Sequence, residues 1–136
     1  MLAFAQAHGM SFIPTCGPGY DDRRIRPWNR HNFKPRQNGE YFRTMCSRAV
    51  DSAATDAVVA VCSWNEWGEG TNIEPAVPHR VPDGEGLSPA IRRKLGLSDV
   101  FNDFSPNGPA FYLELTASIQ QSLFNHYVAA RQSDEL

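Results

Sequence analysis

The sequence has little cysteine, no strong charge of either sign and no long apolar run. Its three cysteines, Cys16, Cys46 and Cys62, are an odd number at no metal-like spacing, so we predict no metal site. Cys46 and Cys62 lie in apolar patterns, so we expect their side chains to be small buried thiols. A formal net charge of −2 gives no reason to expect a nucleic acid or an anionic membrane as partner. The apolar start of the chain is too short for a membrane span and lacks the basic flank of a signal peptide.

The most informative stretch is an apolar, strand-like run that stops abruptly at carboxylates, indoles and amides, residues 57–75. This order is typical of a buried parallel strand whose carboxyl end opens into an active site. Glu66 and Glu69 cannot share one face of an extended strand. We therefore expect Gly68 and Gly70 to turn the chain and bring the two carboxylates together as an acid/base pair. The alternative is a buried strand followed by an ordinary polar loop.

Residues 64–74, WNEWGEGTNIE, resemble the catalytic motif of glycoside hydrolase family 99, the endo-acting α-mannosidases. They are also similar to a motif of the WbsX-like proteins of bacterial polysaccharide biosynthesis. Many family 99 members have histidine where this chain has Gly68, so the hydrogen bonds of that imidazole are missing here. The WbsX-like proteins tolerate small residues at this position.

A second motif, residues 19–29 with the sequence GYDDRRIRPWN, resembles another conserved stretch of family 99. The similarity continues through Arg36 to Asn38 and Gly39, and residues 105–116 are similar to the close of the family's domain. Two motifs in the right order favour family 99 over the WbsX-like group.

The long loop that carries this second motif has the chemistry of a sugar-binding surface. Tyr20 and Trp28 offer flat apolar faces to the C–H side of a pyranose ring. Asp21, Arg26 and Asn29 can form hydrogen bonds with sugar hydroxyls. The alternative for Asp21 and Arg26 is that they staple the loop to itself, since arginine–carboxylate pairs often serve structure.

The order of elements predicts an α/β fold. Predicted strands at residues 11–15 and 57–62 flank a predicted helix at residues 40–53, which makes a βαβ crossover. A long amphipathic helix is expected at residues 110–131, after an irregular segment with one short helix at residues 89–97.

The resemblance implies a (β/α)₈ barrel, and such barrels take about 250 residues. We therefore expect residues 1–136 to be a single partial domain, the C-terminal third of a TIM barrel. The remainder, with any signal or membrane anchor, would lie upstream, either because the chain is a fragment or because its gene model starts at an internal methionine.

The resemblance also implies a mechanism with retention of configuration, in which the 2-hydroxyl of the substrate is the nucleophile and a 1,2-anhydro sugar is the intermediate. By motif position, Glu66 deprotonates that hydroxyl, and Glu69 protonates the leaving oxygen and then acts as base toward water. The spacing of the two glutamates alone fits both retaining and inverting geometries. No cofactor is implied. The expected substrate-binding residues are Tyr20, Arg26, Trp28, Asn29, Asn65 and Trp67.

The implied substrate is a mannose-containing glycan, cut at an internal α-1,2-mannosidic bond of glucosylated high-mannose N-glycans. Residues 133–136, SDEL, resemble a retention signal of the early secretory pathway and predict a Golgi or endoplasmic reticulum lumen. The alternative for this tetrapeptide is a frayed acidic helix end. Two rival functions stay open: a WbsX-like protein acting on activated sugars, and a catalytically inactive remnant that binds sugars.

Overall fold

The structure is a computed structural model that describes residues 1–53, 58–77, 79–80, 86–97, 100–101 and 107–133. Within these ranges, 3₁₀ helices at Pro27–Asn32, Gln37–Gly39 and Trp67–Glu69 supplement the regular elements. The regular elements in chain order are α1 (Leu2–Ala7), β1 (Thr15–Cys16), α2 (Glu40–Ser52), β2 (Ala60–Val61), β3 (His79–Arg80), α3 (Pro89–Leu95), β4 (Val100–Phe101) and α4 (Phe111–Ser133).

The predicted βαβ crossover is confirmed. Strands β1 and β2 pair in parallel, with Thr15 opposite Ala60 and Cys16 opposite Val61, and α2 lies between them in the chain. Each strand is shorter than its apolar run, although the backbone amide of Ala60 also donates to the carbonyl of Pro14 at 2.9 Å. The start of the second predicted strand, at residue 57, lies outside the described residues.

The core lies where α2 packs on β1 and α4. Helix α2 buries Phe42, Cys46 and Ala49, which recur at the spacing of one helical face. Tyr41 and Met45, which the periodicity places on the same face, are only half-buried. The buried core cluster consists of Cys16, Phe42, Cys46, Ala49, Ile73, Tyr112 and Leu115.

A disulfide joins Cys16 of β1 to Cys46 of α2, with Cα atoms 5.1 Å apart. The predicted free thiol at Cys46 is therefore wrong, although the residue is buried as expected. For Cys62 the prediction of a thiol is confirmed but that of burial is wrong, because this free thiol is exposed. Val61 lies opposite Cys16 and packs against the core, so the next residue points to the other face of the sheet.

The segment after residues 57–75 holds an antiparallel strand pair that the sequence did not predict. Strands β3 and β4 pair His79 with Phe101 and Arg80 with Val100. The short helix expected nearby is confirmed as α3, whose first turn is capped by Ser88. Helix α4 confirms the long final helix and extends it to Ser133, while residues 134–136 of the SDEL tetrapeptide lie outside the described residues.

Candidate active site

The two motif loops follow the carboxyl ends of neighbouring parallel strands, β1 and β2. The first loop folds back on itself, because Tyr20 and Lys34 form an antiparallel bridge. A backbone hydrogen bond of 2.8 Å from the amide of Asp21 to the carbonyl of Glu69 joins the two loops directly. The structure thus brings together residues of two motifs, such as Asp21 and Glu69, that are 48 positions apart in the chain.

The chain turns between Glu66 and Glu69, as the sequence predicts. The amides of Glu69 and Thr71 both donate to the carbonyl of Glu66 at 3.3 Å, and the 3₁₀ turn Trp67–Glu69 ends at Gly70 with a φ of +61°. Gly68 lies inside this turn, as expected, but of the two glycines only Gly70 has a positive φ. A Cβ atom at Gly68 would lie 3.0 Å from Cδ1 of Ile25, so the glycine leaves space for that side chain.

The two glutamates have different surroundings. Glu66 is exposed, whereas the side chain of Glu69 is only 33% exposed and its Oε1 accepts a 3.0 Å hydrogen bond from Nη1 of Arg26. The hydrogen bond to Glu69, with a second to Asp22, raises the pKa of Arg26 above its usual value. Arg26 therefore stays a cation beside Glu69. The site thus holds one solvent-exposed carboxylate, Glu66, and one that is paired with an arginine, Glu69.

Asp22 is a buried anion that shares Arg26 with Glu69 and was not among the predicted site residues. Its side chain is 1% exposed. Burial opposes its ionisation, but hydrogen bonds from Asn29, Tyr20 and Arg26 outweigh that effect and lower the pKa of Asp22. Burial and the hydrogen bond to Asp22 raise the pKa of Tyr20, which stays protonated and donates. The i,i+4 spacing of Asp22 and Arg26 was the signal in the sequence that could have identified this pair.

Asp21 forms an ion pair within its own loop, which is the structural one of the two alternatives left open by the sequence. It forms a bidentate pair with Arg23, with N···O distances of 2.7 and 2.9 Å. Arg23 also donates to the carbonyl of Leu95 at 3.0 Å and so ties the loop to α3. Arg26 also pairs within the loop, with Asp22, and in addition it reaches Glu69 of the second loop.

The tryptophans of the motifs divide into a partly buried one and two exposed ones. Trp67 packs against the core, and its indole nitrogen donates to Oε2 of Glu74 at 2.9 Å. Trp28 is 76% exposed and Trp64 is 50% exposed, so both present ring faces to solvent. Asn65 is exposed as well. Trp64 was not among the predicted site residues, although it stands in the same motif.

A pocket of about 450 Å³ lies beside the turn that carries Glu66 and Glu69, lined in part by Ile25, Phe33 and Trp67. Neither Glu66 nor Glu69 lines it, so we do not identify it with a sugar cleft. Within the described ranges, no three His, Cys, Asp or Glu residues are grouped as metal ligands. Among the same residues, no helix has the length and apolar character needed to cross a membrane.

Comparisons with known protein families agree with the two motifs. The model of glycosyl hydrolase family 99 matches residues 1–124. The human glycoprotein endo-alpha-1,2-mannosidase-like protein is 39% identical over 113 residues, which cover 83% of this chain and 21% of that protein. The rat glycoprotein endo-alpha-1,2-mannosidase is 38% identical over 116 residues, with 85% and 21% covered. The chain therefore spans about a fifth of the length of these curated relatives.

Solved structures give the same result. A GH99 endo-alpha-mannosidase from Bacteroides thetaiotaomicron, in complex with bis-tris-propane, superposes with a TM-score of 0.77 at 35% identity. The match covers 95% of this chain and 35% of that one. A second structure of the GH99 endo-alpha-mannosidase from this organism gives a TM-score of 0.73 at 35% identity and covers 91% and 31%.

Proposed function

Because this chain belongs to glycosyl hydrolase family 99, we propose that it carries the catalytic carboxylates of an endo-acting α-mannosidase. The proposed reaction is cleavage of internal α-1,2-mannosidic bonds in glucosylated high-mannose N-glycans, with retention of configuration. The observation that carries this proposal is the turn that presents Glu66 and Glu69 at the carboxyl end of a parallel strand pair. Active sites of (β/α)₈ barrels lie at this end of their strands.

We further propose that residues 1–136 form one partial domain, the C-terminal third of such a barrel. One βαβ unit and a long final helix support this assignment. The share of the solved GH99 chain that is covered, 35%, also fits about a third of a barrel domain.

In the proposed mechanism, the exposed carboxylate of Glu66 takes the proton of the substrate's 2-hydroxyl. The 2-oxygen then attacks the anomeric carbon, while Glu69 gives its proton to the leaving glycosidic oxygen, and a 1,2-anhydro sugar forms. In the second step Glu69 takes a proton from water, the water oxygen opens the anhydro ring, and Glu66 returns its proton to the 2-oxygen. Arg26 contacts Oε1 of Glu69, which leaves Oε2 for these proton transfers.

Substrate binding is assigned to both loops. Trp28 is exposed and can stack on the apolar face of a pyranose, and exposed Asn65 can form hydrogen bonds with its hydroxyls. Tyr20, Asn29 and Arg26 are fixed through Asp22 and would form the wall beside Glu69. Trp67 would contribute to substrate binding indirectly: its ring packs on the core and so supports the turn that carries Glu66 and Glu69.

The proposed location is the lumen of the Golgi or endoplasmic reticulum. Disulfides persist in oxidising compartments and are rare in the cytosol. The buried disulfide between Cys16 and Cys46 supports a place in the secretory pathway. The SDEL tetrapeptide is consistent with the same location.

The test is hydrolysis of a glucosylated high-mannose N-glycan by this chain and by a form extended through upstream coding sequence. We expect release of a glucosyl-mannose disaccharide by the active form, and a 10²–10⁴-fold loss of kcat in Glu66→Gln and Glu69→Gln. Glu74→Gln is the matched control, because a glutamine there still accepts from Trp67. Full activity in either catalytic variant would refute the assignment.

Sugar binding without hydrolysis in every form would instead identify an inactive remnant. Gly68 favours this second candidate, since the residue stands where many family members have histidine. Family membership favours hydrolysis over the chemistry of the WbsX-like proteins, and the released disaccharide distinguishes the two.

A further inference from the structure

We propose that Asp22 is a positioning residue of this active site: its buried carboxylate holds the guanidinium of Arg26 against the carboxylate of Glu69. The inference rests on the proposed function, in which Glu69 is the acid/base residue. Asp22 does not face the substrate, and it acts through Arg26.

The first support is the convergence of donors on a single buried oxygen. Oδ2 of Asp22 accepts from the hydroxyl of Tyr20 at 3.0 Å and from the amide of Asn29 at 2.9 Å. It also accepts from Nη1 of Arg26 at 3.3 Å. A buried charge is stable only when it is paired and hydrogen-bonded. Arg26 supplies the positive charge for Asp22, so removing the anion leaves the guanidinium with its hydrogen bond to Glu69 but without its buried carboxylate partner.

The second support is the exposure of Arg26. Its side chain is 44% exposed, and an ion pair that is partly open to solvent, such as that of Arg26 with the 33% exposed Glu69, holds a side chain only weakly. Asp22 changes this situation, because its side chain is buried and its own carbonyl accepts the amide of Arg26 at 2.7 Å. Backbone and side chain of Arg26 are both anchored on one residue, four positions earlier in the same turn.

The third support is the shared use of one guanidinium nitrogen. Nη1 of Arg26 donates both to Asp22 and to Glu69, which lies 43 residues further along the chain. The carbonyl of Glu69 is held at the same time by the amide of Asp21. The first loop thus fixes the backbone and one carboxylate oxygen of Glu69. A proton-transfer group loses activity steeply when it is misplaced by about 1 Å.

Asp21 provides a matched control, because it is the neighbouring aspartate and also pairs with an arginine of the loop. Its side chain engages Arg23 rather than Arg26. A general loss of loop structure would therefore show in Asp21→Asn as well as in Asp22→Asn, whereas loss of positioning would show only in Asp22→Asn.

The direct test is nitrogen NMR of the arginine guanidinium groups in the isotope-labelled chain, with the Arg26 signals assigned by Arg26→Lys. We expect slow guanidinium rotation for Arg26 in the wild type, in Asp21→Asn and in Glu69→Gln, because Asp22 is intact in all three. We expect averaged, rapidly rotating signals in Asp22→Asn. Restraint of Arg26 that survives Asp22→Asn but is lost in Glu69→Gln would overturn the inference. This readout needs no activity, so it stands apart from the test of the proposed function.

In the active form, kinetics test the consequence. We expect Asp22→Asn to lower kcat about tenfold or more with KM changed less than twofold, and Asp21→Asn to keep kcat within twofold. The double variant Asp22→Asn/Arg26→Gln is expected to lose no more kcat than Arg26→Gln alone, since Asp22 acts through Arg26. Losses that multiply would contradict this dependence. If Asp22→Asn does not fold, Arg26→Lys replaces it, and a wild-type kcat in that variant would overturn the inference.

Discussion

The indole nitrogen of Trp67 donates a 2.9 Å hydrogen bond to Oε2 of Glu74, seven residues further along the same loop. The bond links the 3₁₀ turn Trp67–Glu69 to the end of its loop, while the ring of Trp67 packs on the core. Trp67 therefore connects the turn with the interior of the protein. Trp64 of the same motif is 50% exposed to solvent.

We expect Trp67→Phe to destabilise the chain by about 1 kcal/mol or more, because Glu74 loses its donor and the core loses ring area. Trp64→Phe is the control and should change the free energy of unfolding by less than about 0.5 kcal/mol, as is usual at exposed positions. Urea unfolding followed by circular dichroism measures both. Equal stability of Trp67→Phe and the wild type would contradict a structural role for this hydrogen bond.

The disulfide is expected to be a major source of stability. Cys16 and Cys46 are 30 residues apart, and a loop of that length corresponds to about 3–4 kcal/mol in the chain-entropy model. Cys46→Ser should lower the free energy of unfolding by an amount of that order, and a reducing agent should do the same to the wild type. Cys62→Ser is the matched control, because that thiol is free and exposed. A reduced wild type as stable as the oxidised form would contradict the prediction.

Stability should fall in acid in a way that depends on Asp22. Hydrogen bonds lower the pKa of Asp22 in the folded chain, so its ionised form stabilises the fold at pH values above the unfolded-state pKa of about 4. This contribution is lost as the pH falls through the lower folded-state pKa. Asp22→Asn should be less stable than the wild type at pH 7 and should lose less stability between pH 5 and pH 2, as measured by urea unfolding. Parallel curves for the two proteins would refute this role.

Gly68 and Ile25 should be energetically coupled. A Cβ atom at Gly68 would lie 3.0 Å from Cδ1 of Ile25, so Gly68→His should be destabilising in the wild-type background. Ile25 is 52% exposed, and Ile25→Ala removes the obstructing atom at small cost. We expect Gly68→His to be less destabilising in the Ile25→Ala background, by about 0.5–1 kcal/mol in a double-mutant cycle. Additive effects would show that the two side chains do not compete for this space.

Much of the architecture could be predicted from local sequence. The βαβ crossover and the long final helix follow from apolar periodicity, which local chain geometry imposes. The pair β3 and β4 was missed, because strands of two residues are too short to show a period. The disulfide was missed because its cysteines come together only when α2 packs on β1.

The candidate site shows the same division. The sequence by itself determined the family, both motif loops and the turn between Glu66 and Glu69, because each depends on residues that are close in the chain. Only the tertiary structure decided that Asp21 pairs with Arg23, that Asp22 is buried, and that Arg26 reaches Glu69. Adjacent aspartates have the same chemistry in a sequence, and their roles differ only through which side chain the packed loops bury and which cation they place beside it.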